Sequence, residues 1–259
     1  MNILNKRSSL RVMSAFVLTA VSLTFSGTSI AETFKASSAK HPVALIELYT
    51  SQGCSSCPPA EEWLGELDKI GIDSNQAVPL ALHVNYWDYI GWKDEFAKEY
   101  FTKRQYQYRR ANHSSSVYTP QIMFNGGDVR RVALHNSLAK LRQQNAVVAF
   151  DVVAKTVEDK KLNIAIDFKR IDPVAKNSNL VVVLAESNML KAIKSGENAG
   201  RTLKHSHVVR EWKKLGKIRN RHNIELAIKP EWKKKNLEVV VFVETDDLQT
   251  QQALQLALK

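Results

Sequence analysis

The hydrophobic period of the chain changes once, near residue 146, and this change constrains the fold more than any other feature. Before it, short apolar runs alternate with amphipathic stretches. VALIELY at 43–49 and AVPLALHV at 77–84 read as buried strands, and QIMF at 121–124 reads as a strand stopped by the turn pair Asn125-Gly126. Between them, Trp63, Leu64, Leu67 and Ile70 fall on one helical face. Residues 94–110 have the length and composition of a helix, and Leu134, Leu138 and Leu141 line one side of a third helical stretch over 129–143. Strands interleaved with helices indicate an α/β layer. After residue 146 the helical spacing fades. AVVAFDVVAKTVEDKKLNIAIDFKRI reads as a hairpin about EDKK, and NLVVVLAES, HNIELAIK, LEVVVFVE and ALQLALK read as further strands, with helical signal confined to a turn near 189–195. The expected organisation is an α/β domain over 40–145, with an aromatic-rich insertion near 85–118, followed by a mainly antiparallel β-sandwich domain over 146–259.

The first 31 residues stand apart from both halves. Lys6, Arg7 and Arg11 precede the apolar run VMSAFVLTAVSLTF, and small residues follow at Ser29 and Ala31. This is the three-part pattern of a signal peptide, with cleavage expected after Ala31. The apolar run is short for a membrane span, so no stable membrane insertion is expected after cleavage. The implied location is the periplasm, where disulfides form and persist. Cleavage removes three of the +11 formal charges. The remaining basic excess, concentrated in REWKKLGKIRNRH and PEWKKK, reads as a solvated surface. Export and the lack of any nucleic-acid module argue against a nucleic-acid partner.

All the cysteine in the chain lies in one stretch, TSQGCSSCPP, as Cys54 and Cys57. A zinc site commonly needs four ligands, and no second pair or closely spaced histidine follows. His205 and His207 would share a face of a strand, but an ordinary polar surface accounts for them. A structural disulfide is an alternative, although so short a loop restricts the unfolded chain little. A redox pair fits the order better: strand, loop, C-x-x-C, amphipathic helix. That order puts Cys54 near a helix N-terminus, where it reads as the exposed attacking thiol, with Cys57 as the buried resolving one. Pro58 and Pro59 are tolerated only near a helix start.

VALIELYTSQGCSSCPPAEEWLGEL, LHVNYWDYIGWKDEF, VYTPQIMFNG, SGENAGRTLKHSHVVREW and QQALQLAL together resemble an exported bacterial family of uncharacterised thioredoxin-like proteins. The resemblance spans nearly the whole chain after residue 31. It implies a thioredoxin-like α/β domain followed by a β-rich domain, with Cys54 and Cys57 as a redox-active disulfide and Thr119-Pro120 as a threonine and cis-proline facing it. Glu47 lies one residue from the place of a buried acid in that fold. It is a candidate proton acceptor for Cys57, with an ion-paired structural role as the competing reading.

Tyr86, Trp87, Tyr89 and Trp92 crowd four aromatic rings into NYWDYIGW, either as packing anchors or as the wall of a substrate groove. Asn85 and Asp88 are expected to cap or bridge that loop, and Arg104, Arg109 and Arg110 either approach the thiolate or form a solvated helix face. Arg201, His205, His207 and Arg210 mark a polar loop leading into a strand, which either docks on the redox face or acts as a spacer. The leading expectation is thiol–disulfide exchange on cell-envelope proteins or small thiols, with no bound cofactor and no metal. The alternative is a non-enzymatic periplasmic binding or assembly module that retains the disulfide. Exposure of Cys54 favours the first, and burial of both sulfurs beneath the insertion favours the second.

Overall fold

The computed structural model describes residues 31–158 and 160–259. The expected signal peptide lies outside these residues except for Ala31. Among the described residues, no helix is long and apolar enough to cross a membrane.

The chain opens with β1 (Thr33–Ser37) and β2 (Ala44–Thr50), then α1 (Pro58–Leu64), β3 (Ala77–His83), α2 (Glu99–Ala111), β4 (Gln121–Phe124), β5 (Gly127–Asp128) and α3 (Leu134–Leu141). The rest is strand: β6 (Val148–Val157), β7 (Lys161–Ile171), β8 (Asn179–Glu186), β9 (Met189–Ala192), β10 (Thr202–His205), β11 (Val208–Lys217), β12 (Arg221–Ala227), β13 (Leu237–Glu244) and β14 (Thr250–Ala257). Local chemistry sets the punctuation. Pro58 and Pro59 occupy the first helical positions of α1, where their missing N–H groups cost no hydrogen bond. Asn125 and Gly126 both take positive φ, 47° and 98°, which turns β4 into β5.

Eight strands form one mixed sheet in the order β14-β13-β8-β11-β3-β2-β4-β5. β2 and β3 run parallel, and the other pairings are antiparallel except the short junction between β11 and β3. At that junction Val208 is level with Ala81, and the Ala81 N–H donates to the His207 carbonyl at 2.8 Å. β1-β6-β7-β12 form a second, antiparallel sheet, and β9 pairs with β10.

Alternation along the strands assigns each face of the large sheet. Ala44, Ile46 and Leu48 pack with Ala60 and Leu64 of α1 and with Leu134 and Leu138 of α3. Leu45 and Tyr49 point the other way, into a core with Phe101 and Tyr108 of α2 that continues through Val181, Val183, Val240 and Phe242. The opposite face of β8 and β13 presents Val182, Leu184, Val239 and Val241 to Val152, Ile164, Ile166 and Leu226 of the four-stranded sheet. Strands covered on both faces read as continuous apolar runs, which is why NLVVVLAE and LEVVVFVE carry so little polar alternation.

This arrangement corrects the expected fold class. Strand far outweighs helix among the described residues, and the sheet of the first half is not a separate thioredoxin-like α/β layer. Its strands continue through β11 into β8, β13 and β14 of the second half. The sandwich-like packing is found where the four-stranded sheet covers the large one. The helical turn expected near 189–195 is also corrected: Met189–Ala192 is a strand paired with Thr202–His205.

Candidate functional site

Cys54 and Cys57 form a disulfide with Cα atoms 5.4 Å apart. It sits where β2 hands over to α1. Cys57 caps that helix, and its carbonyl accepts the Ala60 and Glu61 N–H groups at 2.9 and 3.1 Å. Two expectations are corrected here. Cys54 is not exposed: its exposure is 1%, and that of Cys57 is 0%. The helix start also does not offer a row of free N–H donors to a thiolate. Pro58 and Pro59 have none, and the next two N–H groups are committed to the Cys57 carbonyl. The polar partner of Cys54 Sγ is instead the Ser56 hydroxyl at 3.4 Å; with the sulfur in a disulfide, only the hydroxyl can donate.

Two segments roof the disulfide. The first is the aromatic loop. A Cβ placed on Gly53 would lie 3.2 Å from both Trp87 Cβ and Ile90 Cδ1, so the loop rests directly on the residue before Cys54. Trp87 Nε1–H donates to Thr119 Oγ1 at 2.8 Å, beside the Thr119–Pro120 peptide, which is cis. Trp92 Nε1–H donates to Gln52 Oε1 at 2.8 Å. Tyr86 is half-buried against the α2 core, and burial pushes its hydroxyl pKa up to about 12. Tyr89 is 82% exposed and supports neither roof nor core. Asn85 bridges to Thr102 at 2.7 Å, and Asp88 accepts the Asp94 N–H at 3.2 Å.

The second segment comes from the other half of the chain. Asn198 is fully buried, and its Nδ2 donates to the carbonyls of Gln52 at 2.9 Å and Cys54 at 3.0 Å. Arg201 donates to Asn198 Oδ1 at 2.6 Å. The Ser55 N–H donates to Glu197 at 3.0 Å, and the Ser195 hydroxyl donates to the Gly91 carbonyl at 2.6 Å. A Cβ on Gly196 would lie 3.2 Å from Trp92 Cβ. The segment therefore clamps the cysteine loop and the aromatic loop together. A cleft of about 240 Å³ opens beside it between α1 and β10, lined in part by Pro58, Pro59, Arg201 and Lys204.

Beneath the cysteine loop lies a buried polar cluster that the sequence did not reveal. Glu61, one helical turn after Cys57, accepts the Thr50 hydroxyl at 2.7 Å and pairs with His205 Nδ1 at 2.5 Å. His83 Nδ1 pairs with Asp94 Oδ2 at 2.6 Å. Asp94 also accepts the N–H groups of Gln52 and Phe96 at 2.8 and 2.9 Å. Gln52 Nε2 lies 3.4 Å from His205 Nε2. Burial opposes ionisation of both acids. The His205 hydrogen bond and the His83 charge outweigh it for Glu61, and the charge and hydrogen bond of His83 with the backbone donors do so for Asp94, so both sit below the usual carboxylate range. Burial lowers His83, but Asp94 more than compensates and holds it above the ordinary imidazole value.

Glu47 is elsewhere. It lies on the α2 face of β2, opposite the face that packs on α1, and is ion-paired with Arg104, whose Nε donates to it at 2.8 Å. Arg104 is buried and also pairs with Glu244 at 2.8 Å, so it does not approach the sulfurs. Arg109 is exposed and donates to the Ser114 carbonyl. His205 and His207 part company: His205 enters the buried cluster, while His207 pairs with Glu238 at 2.6 Å. Arg210 lies over the rings of Phe96 and Trp232. The structure thus gathers Cys54, Cys57, Thr119, Trp87, Trp92, Arg201 and His205 around one locus and leaves Glu47, Tyr89 and His207 outside it.

Fold and site together define a mostly β protein that holds one short-loop disulfide above a buried histidine–carboxylate cluster. The chain belongs to the DUF1223 family, described as a protein of unknown function, which residues 45–244 match. The uncharacterised family expected from the sequence is therefore found, without a thioredoxin-like assignment. Among solved structures, the chain is similar to protein AGR_C_4864 from Agrobacterium tumefaciens. The two are 28% identical, with a TM-score of 0.60, over 85% of this chain and 97% of that one. It is also similar to HBP35 of Porphyromonas gingivalis, at 15% identity and a TM-score of 0.63, over 85% of this chain and 76% of that one. The second likeness is one of fold alone. No curated protein matches the chain.

Proposed function

We propose that the chain is an exported, periplasmic thiol–disulfide exchange protein whose disulfide is gated by the segment around Asn198. A thiolate of a cell-envelope protein or small thiol attacks Cys54 Sγ, and Cys57 leaves as a thiolate. A second substrate thiol then attacks the substrate sulfur of the mixed disulfide and releases Cys54. Two electrons pass to the protein and the substrate leaves as a disulfide; the reverse sequence reduces a substrate. No bound cofactor takes part.

The observation that carries this reading is the fastening of the roof. Among the described residues, the second-half segment is tied to the cysteine loop by a few side-chain hydrogen bonds, donated by Asn198 and accepted by Glu197, which a local opening can break without unfolding the sheet. A purely structural role is a weak use of this pair. Closing so short a loop contributes only about 2 kcal/mol by chain entropy, in a chain long enough to build an ample core without it.

Burial of both cysteines favours the second reading, a binding or assembly module that holds its disulfide closed. The two readings separate in a Cys57→Ala protein. Exchange predicts mixed disulfides trapped on Cys54 in the cell envelope, and a wild-type disulfide that equilibrates with a glutathione buffer while the protein stays folded. A disulfide that is reduced only when the protein unfolds, with no trapped partner, refutes exchange and leaves the module.

A further inference from the structure

We propose that Glu61, His83 and His205 form a buried binding site for a divalent transition-metal ion, with Zn²⁺ as the reference probe. These residues offer one ligand atom each, all within 4.8 Å of one another, and all three are buried. A tetrahedral zinc shell places its ligand atoms roughly 3.4 Å apart, so a side-chain adjustment of at most about 1.4 Å in any pair that is too wide closes the set.

A cluster of hydrogen-bonded histidines and acids can be purely structural. One atom argues otherwise. His83 Nε2 is fully buried and has no hydrogen-bond partner, although every other polar contact of the cluster is made. Its ring is fixed from behind, because Nδ1 is committed to Asp94 at 2.6 Å. A metal-binding histidine ordinarily shows this pairing, one nitrogen held by a carboxylate and the other left for the ion. An unpartnered buried nitrogen is costly, and with Nδ1–H donated to Asp94 a metal ion removes that cost by taking the Nε2 lone pair. Glu61 is likewise held in place, by the Thr50 hydroxyl at 2.7 Å. Two imidazoles and one carboxylate, with no sulfur, suit zinc and its neighbours rather than calcium or magnesium. Gln52 stands 3.4 Å from His205 Nε2 and is positioned to adjust as the shell closes. The three ligands come from α1, the end of β3 and the end of β10, so a bound ion ties the two halves of the chain together.

The site is closed to solvent, so loading accompanies folding or an opening of the roof, and the test allows for this. Tag-free protein with its disulfide intact is unfolded, refolded with Zn²⁺, dialysed against metal-free buffer and analysed for metal content. The expected result is retention of roughly one ion per folded chain, a higher thermal midpoint than the metal-free sample, and a Co²⁺ visible spectrum without thiolate charge transfer. His83→Gln loses retention. Asp94→Asn keeps a partner for His83 and weakens binding by roughly 10- to 100-fold, which keeps the test open if His83→Gln does not fold. Folded wild-type protein that retains no zinc overturns the proposal, as does retention unchanged in His83→Gln. Retention that appears only after the disulfide is reduced assigns the ion to the cysteines and also overturns it. None of these outcomes depends on exchange activity.

Discussion

Asn198 offers the most direct test of gating. Its Nδ2 donates to two buried carbonyls, those of Gln52 and Cys54, and no water reaches the side chain to replace it. Each such hydrogen bond contributes about 1 kcal/mol net. Asn198→Ala therefore weakens the closed state by about 2 kcal/mol, which raises the open population roughly 30-fold at 1.4 kcal/mol per decade. Where opening and closing are fast relative to attack, the rate of reduction follows the open population. Native-state reduction by dithiothreitol, read as the release of two thiols, should accelerate by that factor. Asn198→Asp keeps the shape but removes the donor, and should accelerate at least as much. The global unfolding midpoint in urea provides the control, because a local gate leaves most of the sheet intact. A rate within about twofold of wild type in a folded Asn198→Ala protein refutes the gate. So does a wild-type rate whose urea dependence equals that of global unfolding, since reduction then requires the whole sheet to open.

Two further predictions concern the scaffold. Arg104 is buried between Glu47 and Glu244, so Arg104→Met strands two buried carboxylates and should cost about 3–5 kcal/mol in denaturant unfolding; adding Glu47→Gln and Glu244→Gln should restore most of it, and a triple variant no better than the single one contradicts the charge argument. Gly126 has φ of 98°, and a Cβ there would meet the Leu248 carbonyl oxygen at 2.6 Å; Gly126→Ala should lower stability by about 2 kcal/mol or more, and an unchanged urea midpoint contradicts the predicted clash.

The strands and helices were more legible than their assembly. VALIELY, AVPLALHV and QIMF appear as β2, β3 and β4, and Leu134 and Leu138 face the core as their spacing requires. What the pattern concealed is the length and the partners of β11. Its sequence, VVREWKKLGK, reads as a basic surface segment because its outward positions carry lysine, and two register shifts interrupt its pairing with β8. Yet Val208 joins Ala81 and carries the sheet from one half into the other. Local periodicity reports burial on each face of a strand but says nothing about which distant strand lies beside it. The expected boundary between fold classes followed from that limit: the change of period near residue 146 is real, and the sheet runs through it.

The site was half legible for a related reason. A C-x-x-C identifies itself through spacing, because its two cysteines are three residues apart. Glu61, His83, Asp94 and His205 carry no spacing signal, since they come from four segments that only the fold brings together. Glu61 sat in the sequence as one acid in a polar helix face, and His83 as the end of an apolar strand. The prominent acid, Glu47, drew attention by its position before the cysteines, but strand alternation turns it toward Arg104. The same alternation turns Thr50, three residues on, toward Glu61. Strand parity thus turns Glu47 away from the face that packs on α1 and turns Thr50 onto it, where the acid that meets it is Glu61 of α1.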